Sequence, residues 1–134
     1  MYHSIDYTDD KSNRITVSPE VFAKQMKFLS DKKYNVIPIA EAVQYIEKRI
    51  RPPAKTVAIT LDDGYENNYI YAYPILKRYK IPATIFVVTD LAGKEGFMTW
   101  EEIKELSDSG LVEIGSHTVS HLWLQYLDDK ILKH

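Results

Sequence analysis

The sequence predicts an α/β fold, a parallel sheet whose strands are joined by crossover helices, and three observations carry that prediction. Short runs rich in β-branched residues alternate with segments whose apolar residues recur at helical spacing. Helix start and stop signals separate the two kinds of segment. Two polar clusters fall just after predicted strands, where parallel α/β folds gather their functional groups.

The elements follow in chain order. Ser18-Pro19 reads as an N-cap with proline at the first helical position. Phe22, Met26 and Leu29 then share one face, which predicts a helix over residues 19–33. Residues 36–39 read as a short strand whose Pro38 places it near a strand end or sheet edge. A second helix over 40–50 carries Val43, Ile46 and Ile50 on one side, and Arg51-Pro52-Pro53 ends it. Residues 56–61 are nearly continuous in their apolarity, as suits one strand covered on both faces.

Asp62-Asp63-Gly64 ends that strand, and a tyrosine-rich helix is expected over 66–79. Residues 83–88 form another buried strand. Thr99 and Glu102 make a capping box, Ile103 and Leu106 supply the apolar stripe, and Gly110 closes the helix. Residues 111–114 are the next strand, and residues 128–134 look like the opening of a further helix. The count is about four strands. Periodicity does not decide whether the sheet closes into a barrel.

Composition narrows the function. The 134 residues fit one domain, and the net charge of −2 gives no electrostatic footprint for nucleic acid. No apolar run approaches the roughly 18 residues of a membrane span. There is no cysteine, so neither disulfides nor thiolate chemistry enter.

Two clusters remain that could carry chemistry. In Asp62-Asp63-Gly64 the adjacent carboxylates leave a strand in opposite directions, and a turn at Gly64 lets both reach one cavity. One is then free to bind a metal while the other serves as base; otherwise the cluster is a polar strand end. His117 and His121 are spaced i,i+4, so one helical turn would put both imidazoles on the same side, where they suit a divalent metal such as zinc. Position 118 is threonine, which excludes the zinc-protease arrangement with its adjacent glutamate. Two histidines and one aspartate make a facial triad with open positions, and the spare aspartate supplies a base for metal-assisted hydrolysis.

Thr60-Leu61-Asp62-Asp63-Gly64 resembles the T-F-D-D-G motif of the NodB-like polysaccharide deacetylases, carbohydrate esterase family 4. Ser116-His117-Thr118-Val119-Ser120-His121 resembles their H-[ST]-x-x-H motif. The segment 81–87 is similar in style to the family's K-x-P-A-T-F-F-V stretch. Met1-Tyr2-His3-Ser4-Ile5 is similar to the opening of members that act on poly-N-acetylglucosamine. Leu61 replaces the commoner phenylalanine, a conservative change.

The resemblance implies a metal-dependent hydrolase removing N-acetyl groups from an N-acetylglucosamine polymer. It implies Asp62 as general base, and Asp63, His117 and His121 as ligands of zinc, cobalt or another divalent ion. Tyr65, next to the turn, is expected to reach substrate, and His3 could line the same cavity. The setting implied is extracellular or the cell surface. The fold implied is the N-terminal part of a distorted (β/α) barrel, with residues 1–134 one deacetylase domain cut short on its C-terminal side.

A closed barrel of this type takes on the order of 200 residues or more. The last strand is therefore expected to offer an unpaired edge, completed by chain beyond His134 or by a second copy. The general acid and the arginine supporting Asp62 are expected to be missing, and activity of this chain alone weak. The competing readings are a metal- and carbohydrate-binding module without turnover, and a purely structural α/β domain.

Overall fold

The computed structural model describes residues 1–10, 12–123 and 125. The strands are β1 (Ser4–Ile5), β2 (Thr16–Val17), β3 (Asn35–Ile37), β4 (Thr56–Ala58), β5 (Thr60–Leu61), β6 (Ala83–Val87) and β7 (Val112–Ser116). The helices are α1 (Pro19–Asp31), α2 (Ile39–Glu47), α3 (Tyr73–Tyr79) and α4 (Trp100–Asp108). Every pairing between these strands is parallel, as the alternation of strands and helices predicts.

The centre is the sheet β5-β6-β7, with Thr60 level with Thr84, and Thr84 level with Glu113. A parallel bridge between Tyr2 and Leu61 joins the N-terminal segment to β5. It is held by the Tyr2 amide donating to the Thr60 carbonyl at 2.7 Å and the Asp62 amide donating to the Tyr2 carbonyl at 3.0 Å. Residues 56–61 are not one strand as expected. The run is interrupted at Ile59, so β4 pairs with β3 while β5 pairs with β6. About four strands were expected; the described residues form seven short segments because pairing passes between partners along the chain.

The helices start where their caps dictate. Ser18 accepts from the Val21 amide, and Pro19 opens α1, whose Phe22 and Met26 are fully buried. Thr99 and Glu102 satisfy each other's backbone amides at the start of α4, a reciprocal cap of the kind whose loss costs about 1 kcal/mol. Ile103 and Leu106 of α4 enter the core beside Ile85, Leu61 and Leu76. Each such fully buried aliphatic side chain contributes roughly 1.5–3 kcal/mol relative to exposure.

Predicted elements differ from the observed ones in detail: the helix expected over 40–50 is Ile39–Glu47, and the strand expected over 111–114 is Val112–Ser116. The tyrosine-rich helix begins as a π-helical turn over Asn68–Ala72 before α3, with Asn68 fully buried and donating to the His3 carbonyl at 2.8 Å. The strand expected over 36–39 stops at Ile37, since Pro38 already caps α2. The apolar side of α2 is open among the described residues: Ile46 is 76% exposed, and Val43 and Ile50 are also exposed. A cleft of about 700 Å³ lies between α2 and the start of β7. The helix expected over 128–134 lies outside the described residues.

Candidate metal centre and catalytic turn

The site is built where β5 and β7 end. After Leu61 the chain turns through Asp63 (φ 74°) and Gly64 (φ 79°), two successive left-handed residues. Gly64 is needed on two grounds: its backbone is left-handed, and a Cβ there would lie 3.3 Å from both Val87 methyls. Residues 93–98 clamp the turn from outside. The Met98 amide donates to the Gly64 carbonyl at 3.0 Å, and the Glu66 amide to the Gly96 carbonyl at 2.9 Å. The Asp62 amide is held from the other side by Tyr2.

On β7 the His117 amide donates to the Val87 carbonyl at 2.9 Å, which carries the strand pairing one residue past Ser116. His117 and His121 were expected on one helical turn. They are instead brought together by a loop with Thr118 (φ 65°) and His121 (φ 57°) in left-handed backbone, so the i,i+4 argument fails while its outcome stands. A β-branched residue at positive φ is strained by about 1–3 kcal/mol and is found mostly at functional sites. The loop is fastened by the Asp90 amide donating to the Val119 carbonyl at 2.9 Å.

The Nε2 atoms of His117 and His121 each stand 3.3 Å from Asp63 Oδ1, and the two rings lie 5.0 Å apart. Donor atoms from the three side chains all fall within 4.8 Å of one another. Asp63 is buried, and its Oδ1 has no hydrogen-bond partner in spite of those two nitrogens. A buried carboxylate oxygen that faces two imidazole nitrogens and makes no hydrogen bond leaves room for a shared cation. The 3.3 Å separations match donors sharing one ion at about 2.0–2.2 Å, so the residues fit a divalent metal. The structure thus brings together the three predicted ligands.

Asp62 and Tyr65 flank the cluster on the same turn, both half-buried. Burial first, and then the negative charge of Asp63, hold the Tyr65 phenol above its usual range, so it stays a proton donor at neutral pH. Its ring stacks on Phe97 at 5.1 Å, with 21° between the planes. Sequence reasoning missed Phe97; the signal available was the pair Gly93 and Gly96, both at positive φ, in the segment that clamps the turn. His3 follows Tyr2, and the Tyr2–Leu61 bridge sets it level with Asp62. Tyr2 packs its ring on Phe22 at 5.0 Å, and the His3 carbonyl accepts from the Asn68 side-chain amide.

A parallel α/β sheet with a carboxylate pair at one strand end and two histidines at another is an arrangement of the kind that metal-assisted hydrolysis uses. The polysaccharide deacetylase family model matches residues 49–133, and the chain belongs to that family. Bacillus subtilis YxkH, named for the same family, is 39% identical over 95% of this chain. The poly-beta-1,6-N-acetyl-D-glucosamine N-deacetylase of Staphylococcus aureus (strain MSSA476) is 38% identical over 77% of this chain. The chain spans 44% and 37% of the length of these two relatives. The structure of Streptococcus pyogenes deacetylase PplD in complex with acetate superposes with a TM-score of 0.88 and 29% identity, covering 98% of this chain and 60% of that one. The agreement with PplD extends the parallel-stranded fold expected from the motifs to nearly all of this chain.

Proposed function

We propose that this chain carries the metal site and base of a metal-dependent hydrolase that removes N-acetyl groups from an N-acetylglucosamine-containing polysaccharide. The observation that carries the reading is the unpartnered, buried Oδ1 of Asp63 between the two imidazole nitrogens. Asp63, His117 and His121 would hold a divalent ion, zinc by donor type. Such an ion supplies Lewis acidity to an acyl carbonyl and to the attacking water.

The remaining work falls to the chain's own side chains. Asp62, next to Asp63 on a turn whose backbone is held by Tyr2 and Met98, takes the proton from the attacking water in this reading. Tyr65 keeps its proton and can donate to a substrate oxygen. The stacked Phe97 restrains the Tyr65 ring and offers an apolar edge for a sugar.

The family and the relatives' printed activities support the substrate class. The test is acetate release from a β-1,6-linked N-acetylglucosamine oligomer, with zinc supplied and withdrawn. Zinc-dependent release supports the reading; no release with zinc bound overturns it. The second reading, a metal- and carbohydrate-binding module without turnover, needs only the three clustered side chains and no base. It predicts that oligomer binding survives where release is absent.

A further inference from the structure

Glycine at 115 sits in the middle of β7, where a small residue ordinarily weakens a strand. Its reason is Phe86 on β6, which is level with it in the sheet. A Cβ on Gly115 would fall 2.5 and 2.6 Å from Cδ1 and Cε1 of the Phe86 ring, so the ring occupies the space a side chain would need.

The register shows which side this ring is on. Thr84 donates its hydroxyl to Glu113 Oε2 at 2.8 Å, so these two paired residues share one face of the sheet. Two residues further on, alternation returns Phe86 and Gly115 to that face. Thr60 is level with Thr84, and Asp62 is two residues beyond Thr60, in the row of Phe86 and Gly115. His117 is two residues beyond Gly115. The neighbours of Phe86 on its own strand, Ile85 and Val87, point the other way into the helix-covered core and are 0% and 4% exposed. Phe86 itself is only half-buried. The row beneath is closed by the start of α2, whose Ile39 and Ala40 amides donate to Thr84 and Glu113.

We propose that Phe86, seated on Gly115, is the apolar floor of the reaction cavity and a positioning residue for the Asp62 carboxylate. The inference rests on the deacetylase reading above. A rigid ring in the row of Asp62 limits the carboxylate's freedom and keeps bulk water from its lower side, two conditions for a base that must meet one particular water. Gly115 is the seat that lets the ring lie low enough.

The test is Gly115→Ala in the full natural protein, assayed for acetate release from the β-1,6-linked N-acetylglucosamine oligomer. The added Cβ must push the ring off the sheet by about 1 Å to restore normal contact distance. A displacement of that size costs on the order of 10²-fold in kcat. KM, zinc affinity and unfolding temperature should stay near those of the wild type. Phe86→Leu placed in the Gly115→Ala background should recover most of the lost kcat, because leucine frees the space over position 115.

Unchanged kcat in Gly115→Ala overturns the proposal, as does a loss that tracks zinc release or that Phe86→Leu fails to repair. Should Gly115→Ala not fold, Phe86→Leu alone decides: a several-fold fall in kcat at constant KM supports the floor, and unchanged kcat removes it. Failure of the deacetylase reading looks different. It shows as no acetate release from the wild type with zinc bound, whereas failure of the floor shows as equal release from wild type and variant.

Discussion

Asp63 and Thr118, neither of them glycine, stand in left-handed backbone at φ 74° and 65° on the two loops that supply the Asp63–His117–His121 cluster. Each is one residue from a group assigned to chemistry: Asp63 follows Asp62, and Thr118 follows His117. The Thr118 hydroxyl oxygen is buried with no partner, so its side chain brings no local compensation for the strained backbone. Strain of this kind persists only where surrounding contacts over-determine the loop.

Thr118→Asn tests that relationship, since asparagine tolerates left-handed backbone better than a β-branched residue. The variant is expected to be more stable to urea by up to about 1 kcal/mol, with zinc binding retained. A stability equal to or lower than the wild type would show that the loop is not strained at this position.

Zinc should raise the unfolding temperature, and a chelator should lower it, because the ion binds the folded arrangement and satisfies the Asp63 oxygen. At a free concentration of 100 times Kd the gain is about 2.7 kcal/mol. Ligation needs neutral imidazoles, so the gain is present at neutral pH and declines as acidification lets protons compete for His117 and His121. Calorimetry with and without zinc at several pH values checks both magnitude and sign. A zinc increment that grows on acidification would contradict the ligand set.

Asp62→Asn and Asp63→Asn should separate two roles carried by neighbouring carboxylates. The first is expected to abolish acetate release with zinc still bound; the second is expected to lose the zinc. Zinc titration of both variants beside the activity assay decides the matter. Equal zinc loss in the two would mean that Asp62 is a ligand.

His3→Asn is expected to lower kcat at least 10²-fold while zinc affinity is kept, since general acid–base groups contribute roughly 10²–10⁴-fold. The basis is the Tyr2–Leu61 bridge, which sets the next residue, His3, level with Asp62. That position would let its imidazole return a proton to the departing amine. It would also supply, within this chain, the general acid expected to be missing. An unchanged pH–rate profile in the variant would remove it from the mechanism.

The helices were legible where caps and apolar spacing agree, as in α1 and α4, because both signals are local in sequence. That Asp63, His117 and His121 come together was legible because aspartate and histidine in that order and spacing carry chemistry whatever backbone joins them. The backbone itself was not. The His117–His121 loop owes its shape to amides at Thr89 and Asp90, which lie a helix and a strand away in the chain. The break at Ile59 depends on a change of partner strand, which a run of β-branched residues does not encode. The apolar side of α2 follows its predicted spacing, but which surface meets it is a tertiary matter. Phe97 escaped for the same reason: its value lies in stacking on Tyr65, a residue far off in sequence.

On the proposed reading the ligands come from the ends of β5 and β7, two strands that do not pair with each other and are held in place by β6 between them. During synthesis the nascent chain therefore cannot capture an ion tightly with Asp63 alone. Capture waits until His121 has been made and the intervening strand and helix α4 have docked. Ion uptake is then a late event that reports completion of the central sheet, and a partly folded chain has little hold on the metal. In refolding experiments the zinc signal should accordingly trail the recovery of helical signal.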